Sequence, residues 1–179
     1  MKTDYSQETF LNTNFLIANK HLILTPVGTG EDDFLYRVYA STRLDELALV
    51  DWADEQKEAF LRMQFHAQTN HYRSQYPNAE YQIIRREDGI PIGRLIVDRS
   101  NNFIFLMDIA LLPEFRNAGI GTTIMRGLMA EAAFTNQPVI LHVETFNPAM
   151  KLYERLGFVK SAEQGIYHEM VWKPGRDHS

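Results

Sequence analysis

Ile109-Ala110-Leu111-Leu112-Pro113-Glu114-Phe115-Arg116-Asn117-Ala118-Gly119-Ile120-Gly121-Thr122 is the stretch on which the fold turns. An apolar run, read as a strand over Phe103–Leu112, ends at Pro113. A short loop with two glycines then opens onto a helix from Gly121 to about Thr135, where Ile124, Met125, Leu128, Met129 and Ala132 form one apolar stripe. The first turn of such a helix has unpaired N–H groups and a partial positive charge. Gly119 and Gly121 lack the Cβ atoms that would keep a phosphate from the backbone, and Arg116 adds a full charge. The stretch therefore reads as an anion cradle suited to a diphosphate. It lacks the third glycine of a dinucleotide fingerprint and the Gly-Lys-Ser/Thr of a P-loop. A tight strand–helix connection, with no ligand, would need the same glycines.

Outward from this segment the period alternates. Upstream, His21–Val27 reads as a strand, and Glu31–Ala40 and Asp45 to Tyr76 as helices stopped by Pro77-Asn78. Tyr81–Arg86 and Ile90–Asp98 read as strands joined at Glu87-Asp88-Gly89, a hairpin signal because glycine tolerates positive φ. Downstream come a strand at Pro138–Glu144, a helix at Pro148–Leu156, and closing strands at Phe158–Lys160 and Ile166–Trp172. This order predicts an α/β chain of the α+β type: a mixed, mostly antiparallel sheet of six to seven strands with helices on both faces. Residues 1–20 read as an N-terminal extension, 21–173 as one domain, and 174–179 as a frayed tail.

Composition narrows the chemistry. The chain has 179 residues, 45% of them apolar, enough for one sizeable core. With no cysteine there is no disulfide, thiolate nucleophile or Cys-built metal site. The apolar runs fall far short of the ~20 residues of a membrane helix, and no secretory leader is evident. No membrane association and a cytoplasmic location are therefore expected. A net charge of −5 without a basic stripe argues against nucleic acid. Residues 31–60 hold nine acids against Arg37, Arg43 and Lys57, which suits either a solvated helix face or the attraction of a cationic small molecule.

A second motif, Asn147-Pro148-Ala149-Met150-Lys151-Leu152-Tyr153-Glu154-Arg155-Leu156-Gly157-Phe158, follows one strand after the glycine helix. Together the two motifs resemble those of the GCN5-related N-acetyltransferase (GNAT) family. Arg116-x-x-Gly119-x-Gly121 is similar to its acyl-CoA pyrophosphate loop, and Ala149-x-x-Leu152-Tyr153-x-x-x-Gly157-Phe158 to its C-terminal motif. The element order is similar from His21 to Trp172.

The resemblance implies an acetyl-CoA-dependent N-acetyltransferase with the GNAT-like acyl-CoA N-acyltransferase fold, acetyl-CoA as acyl donor, and no metal. It implies that backbone groups of Ile109, Ala110 and Leu111 hold the pantetheine arm. Amides of Asn117, Ala118, Gly119, Ile120, Gly121 and Thr122, with Arg116, would hold the pyrophosphate. Asn147 would bond the pantetheine, although it lies six residues before Tyr153 where the family more often shows seven. The Leu111 N–H would receive the oxyanion, and the Tyr153 hydroxyl would protonate the leaving thiolate.

For the base, His142 and Glu144 share one strand face and Asp108 lies on the neighbouring strand. Parity puts Asp108 opposite Ile109 and Leu111 unless a bulge intervenes. A water relay is the other possibility. Tyr36, Tyr39, Asp45, Glu46, Asp51, Trp52, Phe65 and His66 are candidates for an acceptor pocket, since aromatic rings and acids suit a cation. The expected acceptor is a small-molecule amine, with a protein or peptide amine and a non-catalytic acyl-CoA-binding module as competing readings. The expected state is monomer or homodimer.

Overall fold

The computed structural model describes residues 15–17 and 20–175, with side chains described from Leu22 onward. The elements run β1 (Phe15–Ile17), β2 (Lys20–Pro26), α1 (Asp32–Ser41), α2 (Leu44–Ala48), α3 (Asp54–Gln75), β3 (Glu80–Arg86), β4 (Pro91–Asp98), β5 (Ile104–Leu111), α4 (Ile120–Thr135), β6 (Val139–Glu144), α5 (Met150–Arg155), β7 (Val159–Gln164) and β8 (Tyr167–Trp172). A 3₁₀ turn, Pro113–Phe115, precedes α4.

These strands form one eight-stranded sheet in the order β1-β2-β3-β4-β5-β6-β8-β7. Only β5 and β6 are parallel; every other neighbouring pair is antiparallel. The expected mixed, mostly antiparallel architecture is present, with one strand more than expected. That strand is β1, a three-residue edge piece from the stretch read as an extension, too short to carry an alternation signal. Of the expected tail, Pro174 and Gly175 form a turn and the remaining four residues lie outside the described ones.

The helix expected from Asp45 to Tyr76 is two helices, because α2 ends at Ala48 and α3 begins at Asp54. Ala53 is extended, and its N–H donates to the Gln56 side chain at 3.0 Å, so Gln56 starts α3 afresh. Asp54 and Glu55 then meet the positive end of the helix. Trp52, in the link, stacks edge-on against Phe60 with ring centroids 5.3 Å apart.

Two layers of packing flank the sheet. On one face Leu95, Val97, Ile104, Leu106, Val139, Leu141 and Val143 bury against Ile124, Met125 and Leu128 of α4. Each fully buried side chain of this kind contributes about 1.5–3 kcal/mol. On the other face Ile83 packs under Leu35, Tyr36, Tyr39 and Phe65 of α1 and α3. Val38 of α1 meets Ala110 and Leu112 there.

Candidate active site

The parallel pairing of β5 with β6 stops early. Ile104, Phe105 and Leu106 pair with Val139, Ile140 and Leu141, and beyond them β6 pairs only with β8. The C-terminal half of β5 thus has β4 on one side and an open edge on the other. The Leu112 N–H donates to the Ile92 carbonyl on β4, and Ala110 lies opposite Arg94 in the same register. By the alternation of antiparallel pairing, Ala110 turns its N–H and C=O to β4, while Ile109 and Leu111 turn theirs to the opening. Of the three residues expected to offer backbone along this strand, Ile109 and Leu111 turn peptide groups to the open edge, where the Leu111 carbonyl is taken by Arg116. Ala110 does not, because its groups belong to the ladder.

The opening leads to the start of α4. Asn117 and Gly119 both take left-handed backbone conformations, φ 59° and 79°, which turn the chain sharply into the helix. No side chain caps α4 at its N-terminus, so the amides of Ile120, Gly121 and Thr122 face outward from the first turn. A Cβ on Gly119 would meet nothing within 4 Å, and one on Gly121 only the Leu152 Cδ2 at 3.8 Å. The space over both glycines is free, as an anion cradle requires.

Two expected ligands have other partners. The Arg116 guanidinium donates from Nε to the Leu111 carbonyl at 2.8 Å, and from Nη2 to the Ser41 carbonyl and hydroxyl at 3.1 and 2.9 Å. It ties the loop to the end of α1 instead of pointing into the cradle. The Asn147 Oδ1 accepts from the Ala149 N–H at 2.9 Å and shapes the entry to α5, leaving its amide nitrogen for other contacts.

A β-bulge decides what faces the other side. Opposite β4, Ile96 pairs with Asp108 and Val97 with Leu106, so Met107 is the extra residue. Without it Asp108 would follow Leu106 into the apolar layer under α4. With it, Asp108 and Ala110 face α1 and α3. The Asp108 Oδ2 accepts from the buried Arg94 Nε at 2.6 Å, and the Arg94 Nη2 donates to the Gln68 Oε1 on α3 at 3.2 Å. The Arg94 guanidinium also lies 5.6 Å from the Tyr39 ring centroid.

His142 faces this same side. Its ring meets Phe105 edge-on at 5.2 Å, and its Nε2 lies 3.5 Å from the Glu169 Oε2 on β8. The Ser161 hydroxyl holds the Glu169 carboxyl below the usual range, with help from His142. Two residues along β6, the Glu144 Oε1 lies 3.4 Å from the Tyr167 hydroxyl and 3.7 Å from the Arg43 Nη1. Burial pushes the Tyr72 phenol of α3 up to about 12; the Asp108 charge adds to the rise and Arg94 opposes it.

Tyr153 comes from α5 on the α4 side, 7% exposed, with its ring 5.9 Å from that of Phe158. Burial pushes its hydroxyl up to about 12, and the Asp108 carboxylate adds to the rise. The group remains protonated at neutral pH, as a proton donor must.

Of the expected acceptor residues, Tyr39 and Glu46 lie beside Arg43, with Tyr39 itself buried in the α1–α3 core. Phe65 belongs to the core under α1, and Tyr36 donates to the Glu58 carboxylate at 2.6 Å. Trp52 stacks on Phe60 and lines, with Arg43 and Glu46, a cavity of about 250 Å³ between α2 and α3, and nothing places Asp45 or Asp51 at the opening. His66 lines a cavity of about 150 Å³ between α1, α3 and β3–β4, which borders the Asp108 side through Gln68, Tyr72 and Arg94. Sequence reasoning missed Arg43, Gln68, Tyr72, Arg94, Tyr167 and Glu169. Only Glu169 and Tyr167, at period two on a strand, carried a usable signal. Among the described residues no three acids or histidines are grouped to hold a metal, and no helix is long and apolar enough to cross a membrane.

The acetyltransferase (GNAT) family profile matches residues 43–158. Over 84 residues, 47% of this chain, the sequence is 32% identical to human cysteine-rich protein 2-binding protein and 31% identical to its mouse counterpart, and the match spans about a tenth of their length. Among solved structures, PaiA N-acetyltransferase from Thermoplasma acidophilum, in complex with coenzyme A, superposes with a TM-score of 0.64 at 18% identity, over 85% of this chain and 98% of that one. A chimera of the spermidine N-acetyltransferase SpeG from Vibrio cholerae and hSSAT has a TM-score of 0.57 at 19% identity, over 85% and 95%.

Proposed function

Because the chain belongs to the acetyltransferase (GNAT) family, we propose that it transfers the acetyl group of acetyl-CoA to the primary amine of a small cationic molecule, by direct attack in a ternary complex. The observation that carries this reading is the parting of β5 from β6 after Leu106 and Leu141. On this reading it joins the glycine cradle, the outward peptide groups of Ile109, the Leu111 N–H, Tyr153 and Asp108 into one path through the sheet.

The residues fit the substrate at each end. The outward amides of the α4 first turn and the open space over Gly119 and Gly121 suit a pyrophosphate. The Ile109 and Leu111 edge suits the amide groups of a pantetheine arm, which add to it like a strand. Arg116 acts here as a clasp that fixes Leu111 through its carbonyl.

Proton traffic follows from the two faces. An amine has a reference pKa near ~10.4, so it must give up a proton before attack, and Asp108 and His142 both face the approach. The nitrogen lone pair forms a bond to the thioester carbon. The carbonyl electrons shift onto oxygen, where the Leu111 N–H donates to them. As the carbon–sulfur bond breaks, Tyr153 gives its proton to the sulfur. The approach is lined by Asp108, Glu144, Glu169, Tyr39, Tyr72 and Tyr167, and its two cations, Arg43 and Arg94, are already paired with acids. Such a lining favours a cationic acceptor.

Titration calorimetry with acetyl-CoA, followed by a CoA-release assay across monoamines, diamines, amino acids and peptides, tests the proposal. Micromolar binding and turnover with cationic amines are expected. Absence of binding at millimolar acetyl-CoA overturns it.

A further inference from the structure

We propose that Arg43 is a resident cation in the acceptor site, occupying the place that the second positive group of a dicationic acceptor takes when it binds, so that Arg43 sets which acceptors enter. This rests on the acetyl-transfer reading and adds to it a class, the diamines, and a gatekeeping residue.

Arg43 precedes α2, and its side chain spans the approach. Its Nη1 donates to the Glu46 Oε1 at 3.0 Å on the helical side and lies 3.7 Å from the Glu144 Oε1 on the β6 side. The guanidinium carbon lies 5.9 Å from the Tyr39 ring centroid. The Tyr167 hydroxyl reaches the same Glu144 oxygen from β8. Two carboxylates and one aromatic ring from three different elements thus converge on one cation, with the Tyr167 hydroxyl bonded to one of the carboxylates, the arrangement that recognises an ammonium or guanidinium group.

The cation is poorly held. Its Nε is buried with no hydrogen-bond partner, and the Glu144 contact is longer than a hydrogen bond. A half-satisfied charge of this kind is displaced more readily than a fully bonded one. Burial works against the charged state of Arg43, and the Glu46 carboxylate overrules it, so the guanidinium remains a cation and a competitor. Asp108, deeper in the same approach, faces the end where the reacting nitrogen must lie. An acceptor with one nitrogen satisfies only that end. An acceptor with two also replaces Arg43 between Glu46 and Glu144.

Calorimetry on the CoA-loaded protein with 1,4-diaminobutane and n-butylamine as probes tests this. Arg43→Gln is expected to bind the diamine about fivefold more tightly than wild type, with butylamine changed by less than about twofold. Arg43→Lys should match wild type for both probes. Adding Glu144→Gln to Arg43→Gln should erase the gain. Equal or weaker diamine binding by Arg43→Gln, an equal gain for both amines, or no binding of either amine by any form overturns the proposal. Failure of the underlying reading shows separately, as loss of the CoA-binding isotherm itself.

Discussion

Arg94 and Asp108 meet on the α1–α3 face of the sheet, Nε to Oδ2 at 2.6 Å, with the arginine buried and the aspartate partly open. The arginine also bonds Gln68 of α3, so one side chain couples the sheet, the long helix and the carboxylate that faces the gap. Asp108→Asn is expected to lower kcat/KM between about tenfold and a hundredfold, with CoA affinity unchanged. Arg94→Gln removes one partner of a largely buried pair and should destabilise the fold by about 2–3 kcal/mol. Steady-state kinetics and urea titration check the two effects. A rate that survives Asp108→Asn moves the proton-accepting role to His142 or to a water.

Gly121→Asp should abolish CoA binding without unfolding the chain. The new Cβ meets only Leu152 at an ordinary distance, and an acid in the first turn of α4 stabilises that helix. The carboxylate nevertheless lies where the pyrophosphate must come. Calorimetry should show at least about a hundredfold loss of affinity, and thermal melting an unchanged or raised Tm. Unaltered affinity would remove the cradle from the path.

Tyr153→Phe should cost kcat roughly a hundredfold and leave CoA affinity within about twofold, since the hydroxyl acts only as the sulfur departs. The hydroxyl is pushed up to about 12, so it remains protonated through pH 10. A fall of kcat seen between pH 8 and 10 must then come from another group. An equal rate for Tyr153→Phe and wild type excludes the tyrosine as proton donor.

Stability should fall above pH 10. Burial pushes Tyr36, Tyr72 and Tyr153 up to about 12, and the ordinary phenol value is 10.0. Their stabilising contribution is complete below pH 10, where both folded and unfolded chains hold the proton. Between pH 10 and 12 the unfolded chain releases protons that the folded one retains, so unfolding gains. Urea midpoints measured from pH 8 to 11 should be level at first and then decline, and a midpoint rising over pH 10–11 would contradict the burial of these rings.

The glycine helix, its apolar stripe and the Tyr153 helix were legible because each rests on short-range spacing. Ile124, Met125, Leu128 and Ala132 read as one face from sequence and form the core in space. The division of α2 from α3 was less visible, because it depends on Gln56 turning back to Ala53 and on Trp52 finding Phe60. The α1–α3 side of the sheet was mostly hidden. Arg94 in a buried strand and Tyr72 in a helix have no local mark, and acquire their roles only when α3 lies across β4 and β5. The face of Asp108 could not be settled by counting either, since it depends on whether Met107 is inside the ladder or bulged out of it.

Main chain, and not side chains, forms the edge that β5 exposes after it leaves β6. Replacing Ile109 or Leu111 with another residue of similar bulk leaves the same row of peptide groups in place. On the proposed reading, that row would hold the donor arm whatever side chains Ile109 and Leu111 carry, while Arg43, Tyr72 and Tyr167 would choose the acceptor. Exchanges at those three positions would then alter the molecule modified and leave the one drawn from in place.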